Sequence, residues 1–155
     1  MRKIAYDLHG VISAAPEKFK AIMKADRCLN KQVWVISGPP LEQVEQELDE
    51  LKLVRGEHYD HVVGVVSYLN SRFYQNTVDE NGHYWFEEDV WWKSKHSICK
   101  DYCIDVLYDN DVEYGYHFGD RIIRSPFSTE NCYPTQFILT RVVEEQIYFF
   151  ELKGQ

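Results

Sequence analysis

Four consecutive apolar residues, Val33-Trp34-Val35-Ile36, lie between two segments with helical spacing. A strand with no polar alternation has to be covered on both faces, and the usual solution is a parallel sheet with helices packed on each side. The same alternation runs through most of the chain. Residues 3–6 read as a first strand, and a helix opens at Pro16 with Phe19, Ile22, Met23 and Cys28 on one face. Pro39 and Pro40 stop the strand that ends at Ser37-Gly38, and residues 41–53 read as a second helix carrying Leu41, Val44, Leu48 and Leu51. A short strand is expected within 59–66, a helix over 95–102, a strand over 104–108 and another near 121–124. Between 70 and 90 the helical period is lost and Asn81-Gly82 sits between aromatic and β-branched flanks, which predicts a β-hairpin set apart from the main sheet. Residues 137–140 read as strand, and the tail after them fits neither period.

The chain has 155 residues, 45% hydrophobic and 15% aromatic, so one domain over 1–155 with a substantial core is expected. The net charge of −8 argues against binding nucleic acid or anionic membrane through bulk charge, while an acidic site that recruits a cation is compatible with it. Charges interrupt the first residues before a secretory leader can form, and no apolar run approaches membrane-spanning length. Cys28, Cys99, Cys103 and Cys132 form no CxxC pair, so reduced thiols and a cytoplasmic location are expected. Cys99 and Cys103, four apart on a helix, read as core residues.

In parallel sheets ligands sit beyond the carboxyl ends of the strands. Asp7, Ser37 and Asp109 each follow or end an apolar strand and therefore share that edge. Asp7-Leu8-His9-Gly10-Val11-Ile12 resembles the first motif of the haloacid dehalogenase (HAD) superfamily of phosphohydrolases. Ser37 is similar to the second motif, and the stretch from Lys95 to Asp109-Asn110 resembles the helix-then-strand module joining the third and fourth. Together the matches span residues 4 to about 115.

The resemblance implies a three-layer Rossmannoid α/β core and a phosphatase working through a phospho-Asp7 intermediate. It implies Mg2+ on the Asp7 carboxylate, the His9 carbonyl and the Asp109 carboxylate, with Asp111 as a supporting or replacement ligand. Ser37 and the backbone at Gly38 would bind phosphate, and Lys95 would neutralise both Asp7 and the developing charge. Lys93 competes for that role, but residues two apart on a helix face different ways, and family-like spacing selects Lys95. The departure is His9, where the family's phosphatases carry an aspartate that protonates the leaving oxygen. Histidine is able to do this work near neutral pH, so His9 is assigned as acid/base. The alternative is a degenerate HAD-like domain that binds a phosphorylated ligand or a protein partner without turnover.

Only about 20 residues separate the first motif from the second strand, which leaves no room for a large cap there. The small hairpin leaves an open site suited to a phosphate on a nucleotide, a sugar or a nucleic-acid end, or one closed by a second copy of the chain. Tyr74, Tyr84, Trp85, Phe86, Trp91 and Trp92 crowd this segment and are able to stack on a base or sugar, although Trp91 and Trp92 also suit plain packing. His58 and His61 read as a solvated loop rather than a metal pair. The acidic run from Glu42 to Glu50 reads as an exposed helix face with no partner.

Overall fold

The computed structural model describes residues 1–119 and 134–152. Its strands are β1 (Lys3–Tyr6), β2 (Gln32–Ser37), β3 (His61–Gly64), β4 (Asn76–Val78), β5 (Tyr84–Phe86), β6 (Val106–Asp109), β7 (Gln136–Val143) and β8 (Gln146–Glu151). The helices are α1 (Pro16–Cys28), α2 (Leu41–Glu50), α3 (Val65–Ser71), α4 (Glu88–Asp101) and α5 (Val112–Gly115). The central sheet has the order β3-β2-β1-β6-β7-β8, parallel throughout except for the antiparallel β7–β8 pair.

Period-2 geometry divides each buried strand between two cores. Ile4, Tyr6, Val33 and Val35 pack with Phe19 and Met23 of α1 and Val44 and Leu48 of α2. Ala5, Trp34, Ile36 and Leu107 face the other way, against α3, Ile98 and Cys99 of α4, and Tyr114 of α5. Helices on both faces explain why the strands lack polar alternation, and the arrangement is a mostly parallel, Rossmann-like α/β fold in three layers.

The expected hairpin forms as a separate two-stranded sheet of β4 and β5. The Asp79 carboxylate accepts from the backbone N–H groups of Asn81 and His83 and from Trp85 Nε1, each at 2.9 Å, which fixes the turn and one exposed indole. Helix α3 was not expected from the sequence. Its β-branched start reads as strand, but the Val66 N–H bonds the Gly38 carbonyl and the Ser67 hydroxyl accepts from the Leu41 N–H, so tertiary contacts turn the chain into a helix. Helix α2 stops at Glu50, short of the expected 53, and Lys52 takes a positive φ just beyond it. Helix α4 starts at Glu88, with Glu88 and Asp89 in its first turn favoured by the helix dipole.

The tail is a second hairpin, β7–β8. Its turn residues Glu144 and Glu145 both have positive φ, a conformation usually signalled by Asn-Gly, and so gave no sequence cue. His58 is buried rather than solvated, and its Nδ1 accepts from the Val54 N–H at 2.9 Å. Cys28 and Cys99 are free, but Cys103 is disulfide-bonded, so the expectation of reduced thiols fails at that residue. Cys132, Tyr133 and the strand expected at 121–124 lie outside the described residues. Among the described residues no helix is long and apolar enough to cross a membrane.

Candidate functional site

Parallel register brings the three polar strand ends together. Tyr6 pairs with Tyr108 and with Val35, so Asp7, one residue on, stands next to Asp109 and near Ser37, and the Asp7 N–H bonds the Tyr108 carbonyl at 2.9 Å. A cavity of about 420 Å³ opens over this edge, lined among others by Asp7, His9, Ser37, Gly38, Lys95 and Asn110.

Lys95 projects from the face of α4 that also buries Ser94, Ile98 and Cys99, while Lys93 is exposed. The helical geometry thus resolves the choice between the two lysines. Lys95 Nζ lies 3.1 Å from Asp7 Oδ1 and 2.5 Å from Asp109 Oδ2, and the ring of Tyr114 covers it at 4.3 Å. Burial alone would lower the lysine's pKa, but the carboxylates of Asp109 and Asp7 outweigh it and hold the ammonium above its usual range. With all three groups ionised the cluster carries one excess negative charge, largely buried at the floor of the cavity. Asp7 shows the consequence. Burial, with Asp109 adding to it and Lys95 opposing, pushes its carboxyl up to about 6.

Asp109 gives one carboxylate oxygen to Lys95. Its second oxygen accepts from the Asp111 N–H at 2.9 Å, and Asp111 in turn caps α5 through the Glu113 N–H. Asn110 approaches both Asp7 and the His9 carbonyl. The outer atom of its amide stands 3.0 Å from Asp7 Oδ2 and 2.9 Å from the His9 carbonyl oxygen. Gly10 permits this approach, having a positive φ of 81° and a backbone on which a Cβ would collide with the Asn110 amide. If the facing atom is the amide nitrogen, it donates to both oxygens. If it is the amide oxygen, it joins the Asp7 carboxylate and the His9 carbonyl as a third oxygen at this edge, the donor type a hard divalent cation takes. The set contains a single carboxylate, and among the described residues no group of three His, Cys, Asp or Glu side chains forms a metal cluster.

Ser37 is fully buried, and its hydroxyl is the only such side-chain atom among the described residues without a hydrogen-bond partner. An unsatisfied hydroxyl costs roughly 1–3 kcal/mol, and one that lines a cavity is ready to donate to whatever enters. His9 reaches outward, its side chain 52% exposed, with Nε2 2.6 Å from the Glu47 carboxylate. Glu47 therefore has a partner, contrary to the sequence reading. Nothing in the acidic run distinguishes it from its neighbours; only the seating of α2 against the loop after β1 does. Tyr114, Gln43, His83 and the paired prolines 39 and 40 also line the cavity and were not singled out from sequence.

No protein-family model, curated protein or solved structure matches the chain.

Proposed function

We propose that the protein is a Mg2+-dependent phosphohydrolase of the HAD type, acting on a phosphomonoester through an aspartyl-phosphate on Asp7. The observation that carries this reading is the buried Asp7–Lys95–Asp109 cluster, with its excess negative charge, beside the unsatisfied Ser37 hydroxyl. Asp7, the His9 carbonyl and the Asn110 amide oxygen would hold the ion, which would supply charge neutralisation of the nucleophile and the phosphate. Asp109 serves the site by fixing Lys95.

The Ser37 hydroxyl and the backbone at Gly38 bind the phosphate, and Lys95 offsets the charge that builds on it. An Asp7 oxygen forms a bond to phosphorus as the ester oxygen–phosphorus bond breaks, and the departing oxygen takes a proton from the His9 imidazolium. A water deprotonated by His9 then attacks the phosphorus of the acyl phosphate, releasing phosphate and the free Asp7 carboxylate. The Glu47 carboxylate, 2.6 Å from His9 Nε2, sets the orientation of the imidazole.

Two measurements test the parts. Mg2+ at about a hundred times its dissociation constant is expected to add near 2.7 kcal/mol of stability, a rise of several degrees in Tm, which Asn110→Leu largely removes. An unchanged Tm at saturating Mg2+ in the wild type would reject the ion site. His9→Asp restores the residue that the family's phosphatases carry, and its aryl-phosphate turnover is expected to equal or exceed wild type. A folded His9→Asp protein that is inactive beside an active wild type would mean that His9 is not the acid/base, whereas no turnover in either protein would favour the second reading, a phosphate-binding domain without turnover, for which the engagement of His9 by Glu47 at the pocket rim is the supporting observation.

A further inference from the structure

Trp91 stands one helical turn before Lys95 on α4, so both side chains project from the same face. Its indole lies against the phosphate loop, and a Cβ built on Gly38 would be 3.3 Å from the ring. Phe86 stacks on Trp91 with centroids 5.9 Å apart and planes 20° from parallel, which holds the indole in place. Trp91 and Tyr84 line the Asp7 cavity and also an adjoining groove of about 510 Å³, completed by Trp85, Phe86, Glu88 and Trp92. The two spaces therefore share Trp91 and Tyr84 as common walls, the first carrying the polar strand ends and the second almost wholly aromatic. Trp85 is 61% exposed although its N–H is tied to Asp79, so a large apolar face is held rigid beside the site.

Charge narrows the occupant. Lys95 is the only lysine or arginine among the described residues lining either space, and it is already committed to two carboxylates. The groove itself is lined by Glu88 and aromatic side chains with no basic residue among those described, so a second phosphate lying along it would meet a carboxylate.

Resting on the phosphohydrolase reading, we propose that the substrate is a monophosphate ester whose leaving group carries a flat aromatic ring and no further negative charge. The ring lies along Trp91 and Tyr84 and extends towards Trp85. The aromatic crowding legible in residues 84–92 thus acts as a specificity surface, with the small hairpin supplying one wall.

The test compares benzylphosphonate with methylphosphonate, whose carbon–phosphorus bonds offer no alkoxide leaving group, by calorimetric titration of the full chain with Mg2+. Inorganic phosphate is titrated in parallel. Benzylphosphonate is expected to bind about tenfold or more tightly than methylphosphonate, in line with the strength of stacking on aromatic side chains. The ratio is expected to fall towards one in Trp91→Ala and severalfold in Tyr84→Ala, the latter lying on the exposed hairpin, where truncation spares the core. Equal binding of the two phosphonates, or a ratio that survives both substitutions, would overturn the aromatic assignment while leaving the phosphate site standing. Binding of neither phosphonate nor inorganic phosphate would overturn the underlying reading and this inference with it.

Discussion

Asp7→Asn is expected to lose at least about a thousandfold in Mg2+-dependent turnover while melting several degrees above wild type at neutral pH without Mg2+. The loss follows because an amide is not a nucleophile towards phosphorus. The gain follows from burial. The Asp7 carboxyl rises from 3.8 to about 6 in the folded chain, so the native state holds its proton more tightly than the unfolded state does. Stability that is full below the unfolded value is lost as pH rises through the folded one, and two units correspond to about 3 kcal/mol. Asn keeps the shape and removes the charge, leaving Lys95 and Asp109 as a neutral pair. Thermal unfolding without Mg2+ is expected to separate the two proteins at about pH 7.5 and to bring them together near pH 4. Retained turnover in the variant would sink the covalent mechanism. Coincident melting at the higher pH would sink the excess buried charge, and with it the main physical reason for a cation.

The largest loss of stability is expected from Lys95→Met. Methionine fills the aliphatic path of the lysine along α4, but it leaves Asp7 and Asp109, both buried, without the cation that stands between them. Stranding a buried charge in this way costs about 3–5 kcal/mol, a large part of the stability of a domain this size. Activity goes as well, since nothing then offsets the charge developing on the phosphate. The double variant Lys95→Met/Asp109→Asn is expected to recover part of the stability, since Asp7 still lacks its cation, and none of the turnover. Chemical denaturation of the single and double variants measures the coupling directly. Additive losses would mean that Lys95 and Asp109 do not act as a pair.

The route from sequence to site was legible where the physics is local or periodic. Val33-Trp34-Val35-Ile36 required cover on both faces, and the two cores supply it. Asn81-Gly82 has the conformational freedom a hairpin turn demands, and the hairpin forms there. The Glu144-Glu145 turn has the same backbone need without the usual residues, so the β7–β8 hairpin gave no signal. Helix α3 was missed because Val65 and Val66 favour strands by themselves and take up helix only under contacts from residues some 25 positions away.

Within the site, the sequence by itself determined which strand ends meet. Parallel strands put their carboxyl ends on one edge, and this brings Asp7, Ser37 and Asp109 together whatever the loops do. Helical period also required that at most one of Lys93 and Lys95 face the site, the HAD-like spacing pointed to Lys95, and the seating of α4 buries Lys95 and exposes Lys93. Only the tertiary structure decided how those groups are oriented. Neighbouring residues at a strand end diverge, and which one faces a given point depends on loop dihedrals and on the seating of helices. That is why Asn110 stands against the His9 carbonyl, why Glu47 alone of its acidic run reaches His9, and why Trp91 stands against Gly38. Each of these contacts joins residues far apart in the chain, and no local pattern carries information about a distance that packing sets.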